Sequence, residues 1–284
     1  MSGSPFRYLS SGLSRWNRRR KRFFKSLKLQ RRFLRSIRPR DASSEAQVAQ
    51  ALAMLRPEAI DTRLVRIGPD HDGGYLVPDD LDAISALFSP GVSQEIGFDR
   101  AMAARGIECF LADASVEAPP NLPSNIHFRS NFIGPQDRPP FITLQDWVEQ
   151  SAPGQSDLLL QMDIEGAEYD VFVDLSEQLL ARFRIIVLEL HDLHRLAEPA
   201  WRERFMATVS KLNAQHLLCH LHPNNYAEHF RFRGRTVPTV VELTYLRKDR
   251  AGRTGTTAQQ PHPLDRPNEA RNPDIPHSPF WDAR

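Results

Sequence analysis

Apolar and polar positions along the chain fall into short runs that fix most of its elements. The plainest is Leu158-Leu159-Leu160-Gln161-Met162, an almost unbroken apolar stretch followed at once by Asp163-Ile164-Glu165-Gly166-Ala167-Glu168. A short run of this kind is a strand covered on both faces in a parallel sheet, and Gly166 lets the backbone turn tightly into a helix. Asp163 and Glu165 then stand at the carboxyl edge of the sheet, where open α/β folds bind ligands.

Similar units surround this one. Residues 86–91 read as a strand leading into a Gly/Ser turn, 98–105 have helical spacing, and 108–113 form a second strand closed by Asp113. Residues 126–132 alternate like a third strand. Thr143 and Asp146 have the spacing of a helix cap and its partner, with Trp147 beside them. Residues 185–191 are a further apolar run, placing Glu189 and His191 at the same edge as Asp163, with His194 just beyond. Pro199 opens a helix to about residue 212 that turns Trp201, Phe205, Val209 and Leu212 inward. Two late strands follow, 216–222 and 237–245. No helix separates them, so an antiparallel pair is expected at the end of the sheet.

Ahead of this core, Val48, Leu52 and Leu55 share one face of a helix that Pro57 stops. Residues 66–78 read as two short strands around the Asp72-Gly73 turn. From Asp249 onward the chain is rich in Pro, Gly, Thr, Asn and Arg, and is expected to be disordered or at most draped over the domain. The division expected is a basic extension over 1–40, a domain over 41–248 and a tail over 249–284.

Charge changes the picture at one end only. The formal net charge of +2 hides a first 40 residues with 14 Lys or Arg and no acid, leaving 23 basic against 35 acidic residues elsewhere, a net of −12. Within 13–37, Trp16, Phe23, Leu27, Leu34 and Ile37 recur at helical spacing among arginines and lysines. A basic amphipathic helix of this type suits the surface of an anionic membrane, each basic residue contributing about 1 kcal/mol. A solvated basic tail is the plainer alternative. Nucleic-acid binding is disfavoured, because no recognition module accompanies the charge and the acidic remainder repels phosphates. No run approaches the roughly 18 apolar residues of a membrane span, and the first residues lack the apolar centre of a secretory signal. Cys109 and Cys219 fall in expected strands and read as reduced core thiols. These features point to a cytoplasmic protein, with attachment at the inner face of the membrane as an extension of that expectation.

Two segments together carry a family resemblance. Ser89-Pro90-Gly91-Val92-Ser93 with Asp113, and Met162-Asp163-Ile164-Glu165-Gly166-Ala167-Glu168, resemble the FkbM-type S-adenosylmethionine-dependent methyltransferases over about residues 60–248. The resemblance implies a Rossmann-like class I methyltransferase fold, α/β, with a mostly parallel sheet and an antiparallel strand at its C-terminal end. It implies S-adenosylmethionine as cofactor and a hydroxyl of a sugar, glycan precursor or secondary metabolite as acceptor. Gly91 and Ser93 fall in the cofactor turn. Asp113, roughly 20 residues after that turn, is placed to accept from ribose hydroxyls. The 66–78 segment lies near the pocket in the family, which brings in Asp72 and Tyr75; an ordinary hairpin is the alternative there.

Methyl transfer to a hydroxyl requires a proton acceptor. Asp163, Glu165, His191 and His222 are the catalytic candidates, with Glu189, His194 and His220 at the same edge. Histidine has the better intrinsic pKa, about 6.5, whereas a carboxylate must be raised by burial or by like charge. Asp163, Glu189 and His220 also form a candidate site for a divalent metal such as Mg, which would lower the acceptor's pKa instead. Glu168 is assigned to the start of its helix. Two rivals remain open on these residues: a membrane-tethered scaffold without catalysis, and a metal-dependent enzyme acting on nucleotide sugars.

Overall fold

The computed structural model describes residues 30, 42–93, 95–252, 255–278, 280 and 281. The basic amphipathic helix expected over 13–37 lies outside the described residues apart from Gln30, which is helical and brackets the backbone of Arg231 with its side-chain amide.

Seven strands form the central sheet: β3 (Ala86–Pro90), β4 (Glu108–Ala112), β5 (Ile126–Arg129), β8 (Leu158–Met162), β9 (Phe183–Leu190), β10 (His216–Pro223) and β13 (Val241–Arg247). Their order across the sheet is β10-β13-β9-β8-β3-β4-β5. The run from β9 to β5 is parallel, and β13 is antiparallel to both β9 and β10. The antiparallel pair expected at the end of the sheet is therefore present, with β13 inserted ahead of the edge strand β10.

Strand residues alternate between two cores. Leu158, Leu160 and Met162 of β8 and Ile186, Leu188 and Leu190 of β9 face one core; Leu159, Ile185 and Val187 face the other. Being covered on both faces explains why these strands read as continuous apolar runs. The first core is closed by α1 (Ala42–Ala53), α3 (Leu144–Ser151), α4 (Glu168–Asp174), α5 (Glu177–Arg182) and α6 (Pro199–Gln215). The second is closed by α2 (Gly97–Ala103) and by the antiparallel ribbon of β1 (Leu64–Ile67) and β2 (Tyr75–Pro78). Thr143 caps α3 as its spacing predicts, its hydroxyl accepting from the Asp146 amide at 3.0 Å, a contact of about 1 kcal/mol.

Two expected strands are shorter than their patterns. The 237–245 run divides: β12 (Arg235–Pro238) pairs with β11 (His229–Phe232) in a separate ribbon, and β13 starts only at Val241. Pro238 has no N–H to continue a ladder, and the Thr239 amide and hydroxyl both turn to the Glu228 carbonyl at 2.9 Å. The third strand stops at Arg129, and Phe132 belongs to β6 (Phe132–Ile133), which pairs with β7 (Phe141–Ile142).

Beyond Asp249 the described residues pack on the domain instead of leaving it, with Trp281 fully buried in the first core. Both cysteines are free and buried. No helix among the described residues is long and apolar enough to cross a membrane.

Candidate active site

The ends of β3 and β8 meet more closely than side chains allow. Gly91 adopts a φ of +84°, and a Cβ built there would lie 1.6 Å from the Asp163 carbonyl oxygen. A glycine is therefore required where the first turn touches the second, and the Asp163 amide donates to the Pro90 carbonyl at 3.2 Å across the same junction. Just beyond, Glu165 is held left-handed (φ 57°) and Gly166 follows at φ 100°. That sharp turn is closed from inside by Glu168, the first residue of α4 and fully buried. Its Oε1 accepts from the amides of Ile164 (3.0 Å) and Gly166 (3.2 Å) and from His191 Nδ1 (3.2 Å). Glu168 thus does more than favour a helix start: it holds the loop and the imidazole together.

His191, at the end of β9, has its Nε2 at 3.6 Å from both Asp163 and Glu165. Burial opposes its charge, but the Glu168 hydrogen bond and the charges of Glu168, Asp163 and Glu165 outweigh it and raise His191 to about 9. Asp163 rises to about 7, because burial and the neighbouring Glu165, Glu168 and Asp72 overcome the attraction of His191. These surroundings reverse the intrinsic preference for histidine as base. The shifts favour the protonated form of His191 and keep Asp163 nearer to neutrality than an ordinary carboxylate.

Glu189, one strand over, is deeply buried and accepts from the Tyr75 hydroxyl at 3.3 Å and from Asn224 at 3.1 Å. Burial, then the charges of Asp163 and Glu242, holds it well above the ordinary carboxylate range. Tyr75 in turn receives Gln161 Nε2 at 3.4 Å, and Gln161 accepts from Ser89 at 2.6 Å, so one polar line runs through the sheet beneath the site. Glu242 sits directly opposite both Glu189 and His222 in the ladder, and its carboxylate meets His222 Nδ1 at 3.0 Å.

Two groups of metal-ligating atoms lie within 4.8 Å of one another among the described residues: Asp163, Glu189 and His191, and Asp72, Glu189 and Glu242. The expected trio of Asp163, Glu189 and His220 is not assembled. β10 is three strand positions from β8, about 14 Å across the sheet, and His220 Nε2 bonds to Asp265 at 2.8 Å instead. His222 faces the same side as His220 but reaches the acidic cluster only through Glu242.

Asp113 directly follows β4, with Oδ1 accepting the amide and hydroxyl of Ser115, both at 2.6 Å, while its other oxygen accepts no such bond from the described residues. Ser93 is exposed beside the first turn and accepts from the Glu95 amide at 3.1 Å.

Sequence reading missed Glu242, Asn224 and Asn268. Glu242 carried a usable signal, since an acid inside the apolar run Val240-Val241-Glu242-Leu243 has to find a polar partner when buried. Asn268, which contacts Asp72 and Glu242, carried none, because it lies in a segment without periodicity.

A mostly parallel seven-strand α/β sheet with titratable groups gathered at its carboxyl edge is the architecture of a ligand-binding enzyme domain. Residues 91–230 match the family described as Methyltransferase FkbM domain. No curated protein matches the chain.

Proposed function

We propose that the protein transfers the methyl group of S-adenosylmethionine to a hydroxyl acceptor on a Rossmann-like class I scaffold. The seven-strand order with one reversed strand beside the edge supports the scaffold. The observation that carries the chemistry is the junction of Gly91 with the Asp163 turn, around which Asp163, His191, Glu189, Glu242 and Asp72 converge.

These residues fit the cofactor. The open oxygen of Asp113 suits a ribose diol, and an edge rich in carboxylates favours a cationic sulfonium over the neutral thioether product. The bound cofactor supplies an electrophilic methyl. Asp163 would take the proton of the acceptor hydroxyl, and His191 would hold that carboxylate in place. A divalent cation, where the reaction uses one, would be held by Glu189 together with Asp72 and Glu242, an all-oxygen set suited to Mg, or with Asp163 and His191.

The acceptor class we favour is a sugar or glycan-precursor hydroxyl, and the basic 13–37 segment supports presentation at an anionic membrane surface. Methyl-labelled cofactor incubated with a panel of free, nucleotide-linked and lipid-linked sugars, with and without chelator, tests this. Label in a sugar ether that is lost in Asp163→Asn supports the reading. Label that never leaves the cofactor across the panel, with the protein folded, favours the non-catalytic scaffold.

A further inference from the structure

The tail after residue 261 crosses the carboxyl end of β10 and the amino end of β13 and is fastened there at three places. Asp265 accepts from His220 Nε2 at 2.8 Å. The Asn268 carbonyl accepts the Asp72 amide at 3.2 Å, and its side-chain amide donates to Asp72 Oδ1 at 3.1 Å and to Glu242 Oε1. The Glu269 amide donates to Asn225 Oδ1 at 2.8 Å, and Asn272 donates to the Asn225 carbonyl at 3.1 Å, next to the Asn224 that holds Glu189.

A stretch this poor in apolar residues has little hydrophobic reason to lie there, so its position is set by these polar contacts. Asn268 is only 6% exposed. Its amide has two donors and spends them on two carboxylates that repel each other when unbridged.

We propose that residues 262–272 are a strap that completes the site, and that Asn268 is a positioning residue holding Asp72 and Glu242 side by side to face a cationic ligand. The cationic ligand is the sulfonium or ammonium of the cofactor, so this part rests on the function proposed above.

Without the bridging amide the two carboxylates part, and a cation loses its paired partners. A role confined to holding the fold predicts equal loss for a charged and an uncharged ligand.

The test uses full-length wild type, Asn268→Ala and Asn268→Gln, which keeps both donors. S-adenosylmethionine should bind Asn268→Ala about tenfold more weakly, with at least partial return in Asn268→Gln, while uncharged 5′-methylthioadenosine binds within about twofold of wild type. Equal weakening of both ligands, or no weakening of either, overturns the proposal. Absence of cofactor binding to wild type overturns the methyltransferase reading instead, and amide exchange over 262–272, faster in Asn268→Ala and restored in Asn268→Gln, then decides the strap by itself.

Discussion

Replacing Gly91 with alanine tests whether the β3–β8 junction is as tight as the site requires, and Gly106 supplies the control. The two glycines share nearly the same φ, +84° and +83°, but a Cβ at Gly106 meets nothing within 4 Å. Gly106→Ala should therefore show only the cost of a side chain in left-handed backbone, about 1–2 kcal/mol. At Gly91 the new carbon would sit 1.6 Å from the Asp163 carbonyl oxygen and 2.5 Å from its carbon, and both are backbone atoms that no rotamer change can move. An ordinary C···O contact needs about 3.3 Å, so the two turns must part by well over an ångström. That movement also breaks the Asp163 amide bond to the Pro90 carbonyl, adding about 1 kcal/mol. Gly91→Ala should thus cost about 3–5 kcal/mol, among the larger effects of single substitutions. Urea unfolding midpoints of both variants at an unchanged slope measure the difference. Equal losses at the two sites would refute the close approach and, with it, the placement of Asp163.

Two further predictions concern titration. Turnover should follow a bell-shaped pH profile, rising as Asp163 ionises near 7 and falling as His191 loses its proton near 9; the limbs belong to the pair jointly. The stability that His191 contributes should be complete below about pH 6.5 and disappear as pH rises through about 9, because its folded pKa is raised, and Glu168→Gln should shrink that window. Away from the site, burial raises Asp157, but its hydrogen bonds to Arg247 and Arg184 prevail and leave it below the ordinary carboxylate value. Asp157→Asn should cost about 1–3 kcal/mol at pH 7 and little once acid has protonated the wild-type carboxyl, read from denaturation at the two pH values.

The sheet was legible because its strands are buried on both faces and stop at turn residues. The apolar runs ending at Met162 and Leu190 gave position and edge together. The 237–245 run misled because Pro238 and the Thr239 contact with Glu228 cut it, and such a break depends on a partner far from the pattern itself. Asp163 and His191 were legible as neighbours, since consecutive parallel strands bring their ends together. Their protonation was not, because Glu168 lies one helix start away and its buried carboxylate decides the charge of the imidazole. His220 was misplaced for a related reason: periodicity gives the side of the sheet but not the distance across it. The tail was hardest, as Asn268 and Asp265 act by polar contacts that leave no periodic trace.

Titration calorimetry of S-adenosylmethionine against wild type, Asp113→Ala and Asp163→Asn measures whether this sheet edge holds the cofactor. One saturable site per chain is expected, weakened about tenfold or more in Asp113→Ala and retained in Asp163→Asn. A flat titration with folded wild type, or affinity indifferent to Asp113, would contradict it.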